Sequence, residues 1–290
     1  MLKELIKKNK IIYSVLHILK AYIYYILVLF DKKIFKIKRF LQKKRYIKED
    51  NRFLKIKNLK DKYKGQRCFI VATGPSVTID DLELLKDEYT ISMNSIVNVL
   101  DKTTYRPDIY MLQDRSVYNK IDHDKFDLLK PESVYIGISN MGRYCHTGIK
   151  KKHIKNKIWN LFYLDSADIW YDLVFNSDAY KPSFSDDCQY KVMDGSSVVY
   201  SCVQLAVYMG FKDIYLIGVD CNFKGKIRHI GEYDKSESLP HADAAQKNLI
   251  KTFKFAKFYL NKRKVNLYNA TRGGNLEVLP RVNIEEVLKQ

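Results

Sequence analysis

Proline and glycine are scarce in this chain, 6 and 12 among 290 residues, which excludes collagen-like and Pro/Gly-rich low-complexity architectures. Cysteine supplies no framework either. Cys68, Cys145, Cys188, Cys202 and Cys221 are odd in number and form no C-x-x-C pair, so neither a disulfide scaffold nor a zinc ribbon is indicated, and reduced thiols in a cytosolic compartment are expected. The six histidines show no H-x-x-x-H or H-E-x-x-H spacing, so no zinc site is expected. Acidic residues are the rarer sign of charge, 33 against 51 Lys and Arg, and the net charge of +18 points to phosphate-bearing ligands, nucleic acid or anionic lipid. What is present suffices for one folded α/β unit: 46% of residues are hydrophobic and 29% charged, with no internal repeat and no low-complexity linker.

The excess charge is concentrated. Residues 1–50 hold 14 Lys and Arg against 4 Asp and Glu, a net +10, leaving +8 for the remainder. Within that basic segment, Ile11 to Phe30 is apolar except at Ser14, His17 and Lys20, long enough to span a bilayer. A lysine at the centre of a span costs roughly 2.5–3.5 kcal/mol, and the three polar residues share a helical stripe with Lys10, Tyr24 and Asp31. A helix lying in the membrane interface avoids that cost. From Asp31 to Tyr46 the design repeats, with Ile34, Ile37, Phe40 and Leu41 set among Lys32, Lys33, Lys36, Lys38, Arg39, Lys43, Lys44 and Arg45, a composition suited to anionic headgroups. The expected organisation is a membrane-associating helical segment over 1–50, peripheral or monotopic, and a folded domain over 51–290. No small-residue cleavage site follows the apolar run, so a removed signal peptide is not expected. A nucleic-acid arm has no use for such a run, and no zinc-finger, RNA-recognition or helix-turn-helix signature accompanies it.

From Gly65 onward the pattern alternates between strands and helices. Cys68 to Ala72 is a continuous apolar run ending in Thr73-Gly74-Pro75-Ser76, with a helix expected to start near Thr78 or Asp80. Further strands are expected at Tyr89–Met93, Asp108–Leu112, Val134–Ile138, Leu161–Leu164, Asp213–Val219 and Lys264–Tyr268, with helices at Gly195–Met209 and His241–Lys262. This alternation predicts a doubly wound, mostly parallel Rossmann-like sheet. In such sheets ligands bind beyond the carboxyl ends of the strands, where Thr73, Gly74, Ser76, Asn94, Asn98, Gln113, Asp114, Ser139, Asn140 and Asp220 are expected to stand.

The Thr73–Ser76 turn can face an anion with backbone N–H groups and a helix N-terminus, but it lacks the lysine of a P-loop and the glycine spacing of a dinucleotide fingerprint. Gly195-Ser196-Ser197, before a helix of small residues, reads as a second anion site or as an N-cap with close helix packing. His229 and His241 fall in a polar stretch after the strongest strand, where a loop would cover the crevice and an imidazole suits acid–base work. Asp220 offers no second carboxylate at a useful spacing, and the D-x-D motif of metal–sugar-nucleotide binding is read as absent, which argues against a manganese-dependent transferase.

Four segments, Ile70–Ser76, Met93–Ser95, Gly210–Asp220 and Asn269–Glu277, together resemble a Rossmann-like superfamily. It contains the motility-accessory-factor glycosyltransferases, the archaeal-type 6-hydroxymethylpterin pyrophosphokinases and, more distantly, bacterial lipooligosaccharide sialyltransferases that use CMP-sialic acid. The resemblance extends over about Lys62 to Arg281. It implies that Gly74 and Ser76 border the nucleotide phosphates, that Asn94 contacts cytidine monophosphate, that residues around Ser196 and Ser197 hold the donor, and that His241 is the base; Thr73, Gln113, Asp114, Gly195 and Asp220 are expected in the nucleotide-sugar site from their places at strand and helix ends. Two departures stand out: Thr73 replaces an asparagine, and Asn222 and Arg228 occupy the region of two leaving-group tyrosines, so that Arg228 or His229 would neutralise the phosphate. The implied activity, carried by a catalytic domain over 51–290 at the cytoplasmic face of a bacterial membrane, is a membrane-associated, metal-independent inverting glycosyltransferase of cell-surface glycan or lipopolysaccharide synthesis. It would use a CMP-activated acidic sugar and a glycan or glycolipid acceptor, need no further cofactor, and possess the capacity to form a homo-oligomer. The alternatives are a pterin pyrophosphokinase using ATP and magnesium, and a non-catalytic nucleotide-binding protein.

Overall fold

The computed structural model describes residues 10–49, 51–139, 159–166, 180–222, 229–230 and 242–289. Among the described residues eight parallel strands form one sheet: β1 Arg67–Val71, β2 Thr90–Met93, β3 Ile109–Leu112, β4 Val134–Ser139, β5 Asn160–Asp165, β6 Val192–Met193, β7 Asp213–Ile217 and β8 Asn266–Asn269. Their order is β6-β5-β4-β3-β2-β1-β7-β8, with parallel pairing throughout. Seven of these strands lie where the apolar runs place them; β6 was not anticipated.

Parallel strands covered on both faces need apolar residues on both, and alternate residues divide between two cores. On β1, Cys68 and Ile70 join the core containing helix α5 (Val198–Tyr208) and helix α6 (Ala242–Asn261). Phe69 and Val71 join the opposite core with Val77, Leu82, Tyr110 and Ile136. Beside its pairing with β5, the edge strand β6 is held by a buried side chain. Buried Gln204 of α5 donates to Met193 O (2.8 Å) and Tyr200 O (3.1 Å), and accepts from Met193 N and Ser185 N, both at 3.0 Å.

Among the described residues the first helix, α1, runs Lys10–Lys43. Its C-terminal part is docked on the β5–β6 edge of the sheet. Phe35 is buried, its ring 5.2 Å from Tyr163 and 5.5 Å from Tyr190. Arg39, also buried, lies 5.0 Å above the Tyr163 ring, donates to Gln189 O at 3.0 Å and is paired with Glu49. Most of the remaining apolar side chains on α1 are solvent-exposed. No helix among the described residues is long and apolar enough to cross a membrane.

Candidate active site

In this strand order the chain steps outward from β1 through β2 to β6 on one side and places β7 and β8 on the other. The topological switch point therefore lies at the carboxyl ends of β1 and β7, flanked by β2. Thr73, Gly74, Ser76, Asn94, Asp220 and His229 come together there. Thr73 Oγ1 lies 3.1 Å from His229 Nδ1. The next residue clasps two strand ends: Ile230 N donates to Thr73 O at 2.7 Å, and Ile230 O accepts from Ser95 Oγ at 2.7 Å. The imidazole of His229 is thus held at the carboxyl ends of β1 and β2.

Asp220 organises the β1 loop. Its Oδ2 accepts from Ser76 Oγ at 2.8 Å, and a Cβ on Gly74 would come within 1.8 Å of the same oxygen and 2.3 Å of Gly218 O. Only glycine fits beneath that carboxylate. Behind it, Asn275 N donates to Asp220 O at 2.7 Å and Val219 N to Thr271 Oγ1 at 3.0 Å, so the 269–275 loop buttresses the end of β7.

Three of the six described non-glycine residues with positive φ stand at the same edge. Asn94, Ser196 and Cys221 follow β2, β6 and β7 and have φ of 50°, 66° and 50°, in the left-handed region that disfavours side chains. Asn94 is held by Tyr110, whose hydroxyl donates to Asn94 O at 2.6 Å. Its own Oδ1 is buried and meets no hydrogen-bond donor among the described residues. A buried orphan acceptor is costly, by about 1–3 kcal/mol, unless a ligand satisfies it. Cys221 is buried, and burial, reinforced by the neighbouring Asp220 charge, pushes its thiol up to about 12, so it is no thiolate nucleophile.

Several expectations need correcting. The helix after the Thr73–Ser76 turn, α3 (Ile79–Leu84), is six residues long, and a Thr78–Asp81 capping box closes its first turn. Gly74 N donates to Gly218 O, Val77 N to Gly74 O and Thr78 N to Asp81, so these donors point inward rather than towards an anion. Gln113 is buried with Oε1 accepting from Ser201 Oγ at 2.7 Å, and Asp114 caps the helix Arg115–Tyr118 through Ser116 N at 2.6 Å. At the second anion candidate, Gly195 packs against the Tyr200 ring, Ser196 N donates to Asp194 Oδ1 at 3.0 Å and Ser197 caps α5 by accepting from Val199 N at 3.2 Å. Since Ser201 reaches Gln113 at the end of β3, the start of α5 lies beside the β3 end of the crevice. A D-x-D sequence does occur, Asp122-His123-Asp124, and is used as a turn in which Asp122 Oδ1 accepts from Asp124 N at 3.1 Å. His241, Arg228 and Asn140 lie outside the described residues. The strand-end pattern also passed over Ser95 and the Ile230 backbone, for which the sole sequence signal is adjacency to Asn94 and His229.

A search of curated proteins finds no match. Among solved structures, the chain is similar to the MAf glycosyltransferase of Magnetospirillum magneticum AMB-1, at 17% identity and a TM-score of 0.45, covering 80% of this chain. The chain spans 38% of that protein's length. It is also similar to the sialyltransferase CstII of Campylobacter jejuni, solved with cytidine-5'-monophosphate, at 14% identity and a TM-score of 0.32, covering 76% of this chain and 85% of that one. Residues 38–226, well over half of the chain, match the family described as 6-hydroxymethylpterin diphosphokinase MptE-like. With the parallel sheet and the polar switch point already in place, that match makes the chain a member of the MptE-like family.

Proposed function

We propose that the protein is a nucleotide-dependent transferase whose donor sits at the β1/β7 switch point, and specifically a membrane-associated, metal-independent inverting glycosyltransferase using a CMP-activated acidic sugar. The observation that carries donor binding is the buried, unsatisfied Asn94 Oδ1 on a strained backbone beside Thr73, Asp220 and His229. An acceptor atom in that state suits an amino or hydroxyl donor of a nucleoside. In this reading His241 removes the proton of the acceptor hydroxyl as it attacks the anomeric carbon, and His229 or Arg228 neutralises the departing phosphate. The start of α5, at Gly195 to Ser197, borders the donor from the β3 side.

The choice of a membrane-held acceptor is supported by α1, which is exposed and apolar along most of its length, rich in lysine and tied to the domain through Phe35 and Arg39. It favours the cytoplasmic face of the membrane as the working place. The second reading, an ATP- and magnesium-dependent pterin diphosphokinase, is favoured by the description of the family itself. Under it Asp220 is the carboxylate at the switch point able to face a metal.

Thermal-shift titration with CMP, UDP, GDP and ATP, with and without magnesium, tests both readings. CMP is expected to raise the melting temperature without a metal and more than the others. Stabilisation by ATP that needs magnesium and exceeds that of CMP would instead install the diphosphokinase reading. Nucleotide binding without transfer to any glycan acceptor would leave a non-catalytic nucleotide-binding protein.

A further inference from the structure

Eight of the thirteen exposed large apolar residues described on α1 keep a strict repeat. Ile12, Leu16, Leu19, Ile23, Ile26, Phe30, Lys33, Ile37 and Phe40 follow one another at alternating steps of four and three residues, and the eight apolar members are between 42% and 65% exposed. In heptad terms Leu16, Ile23, Phe30 and Ile37 occupy a positions, and Ile12, Leu19, Ile26, Lys33 and Phe40 occupy d positions. Phe35 and Gln42 then fall at f, diametrically opposite, and Phe35 is the residue buried against the domain. The seam therefore points directly away from the protein's own body.

Over residues 11–30 the near-continuous apolar composition satisfies such spacing by itself, but past Phe30, where lysines dominate, Ile37 and Phe40 still keep the period of 3.5, which a face made only for lipid does not require. On a straight helix such a seam drifts by about 20° per heptad, or roughly 80° between Ile12 and Phe40, and it stays in register only with a partner around which it supercoils. We propose that this seam pairs with the same seam of a second copy of the chain, forming a coiled coil through α1. Eight half-exposed Ile, Leu and Phe side chains offer on the order of 700 Å² per copy, close to the roughly 800 Å² per partner of a standard specific interface. Because the docked face is opposite the seam, the two bodies lie on opposite sides of the helix pair and do not compete with it. The flank bearing Val15, Ile18, Tyr22 and Leu29 stays outside the a and d positions and is left for the membrane surface. The proposal does not depend on the chemistry at the crevice.

Leu19 and Ile18 make a matched pair for the test, adjacent and 56% and 55% exposed, one in the seam and one beside it. The mass of the full chain is measured by light scattering in a mild non-ionic detergent, for the wild type, Leu19→Asp and Ile18→Asp, with melting temperatures confirming that all three are folded. The wild type is expected at a defined multiple of 34.2 kDa. Leu19→Asp should weaken association at least about a hundredfold, with Ile18→Asp close to wild type. A monomeric wild type, a heterogeneous aggregate, or equal dissociation by both substitutions overturns the seam. Co-sedimentation with phosphatidylserine vesicles reads the membrane proposal separately: a monomer that sediments with vesicles removes the coiled coil and leaves membrane binding standing.

Discussion

At the scale of single residues, function and stability are opposed at Asn94. Its left-handed backbone and orphaned Oδ1 both work against the folded state. Glycine adopts the same φ without strain and removes the acceptor. Asn94→Gly is therefore expected not to lower the melting temperature of the free protein while weakening nucleotide binding about tenfold, the worth of roughly one hydrogen bond. A melting temperature several degrees below wild type would assign Asn94 to the scaffold instead. His241 is expected to behave differently. As general base it contributes typically 10²–10⁴-fold, so His241→Ala should lower turnover by about that factor with nucleotide affinity nearly intact. Turnover, affinity and melting temperature measured on one sample separate this from a structural role, and near-normal turnover per folded molecule would remove His241 from the mechanism.

At the scale of elements, a carboxylate ties α3 to the chain entering β3. Glu83 accepts from Thr103 Oγ1, Thr104 N and Thr104 Oγ1, each at 2.6 Å. These bonds, to Thr103 first and then Thr104, hold its pKa down from 4.5 to about 2. A depressed carboxyl pKa means that the stabilisation is fully present above 4.5 and is lost as pH falls through about 2. Glu83→Gln should thus lower the melting temperature at pH 7 and converge with wild type near pH 2. An equal gap at both pH values would show that the carboxylate charge is not what holds this junction. How far such elements could be read from the sequence depended on what stabilises them. The long strands were legible because strands covered on both faces are continuous apolar runs, as at Cys68–Ala72 and Asp213–Val219. The edge strand β6 was not, since Val192–Met193 is too short to carry a pattern and is secured by Gln204, a polar residue of the next helix. The strand-end polar residues were legible as a group, but Gln113 and Asp114 turned to the core and to a cap. Which way such a side chain turns depends on Ser201 or Ser116, and no local spacing encodes that.

At the scale of the whole molecule, the N-terminal segment is two things that its composition blends into one. Lysine and apolar residues alternate across residues 31–46 much as a surface-binding helix requires, so Arg39 reads as one more basic member of that face and nothing local sets Phe35 apart. Their partners Tyr163 and Tyr190 lie more than a hundred residues away, which hides the docking from any local pattern. The consequence is that the segment cannot be removed at residue 50 without cost. A chain lacking residues 1–30 keeps Phe35, Arg39 and their contacts, and is expected to lose vesicle binding with its melting temperature unchanged. A chain lacking residues 1–50 also strips the Phe35 ring and the Arg39 guanidinium from Tyr163. Loss of a buried phenylalanine alone is worth about 3 kcal/mol, or on the order of 10 °C for a domain of this size. Scanning calorimetry of the two truncations beside vesicle co-sedimentation distinguishes anchor from dock. If both truncations melt with the full chain, the docked end of α1 contributes nothing to the fold; if the shorter truncation still binds vesicles, the exposed apolar length of α1 is not what holds the protein to the membrane.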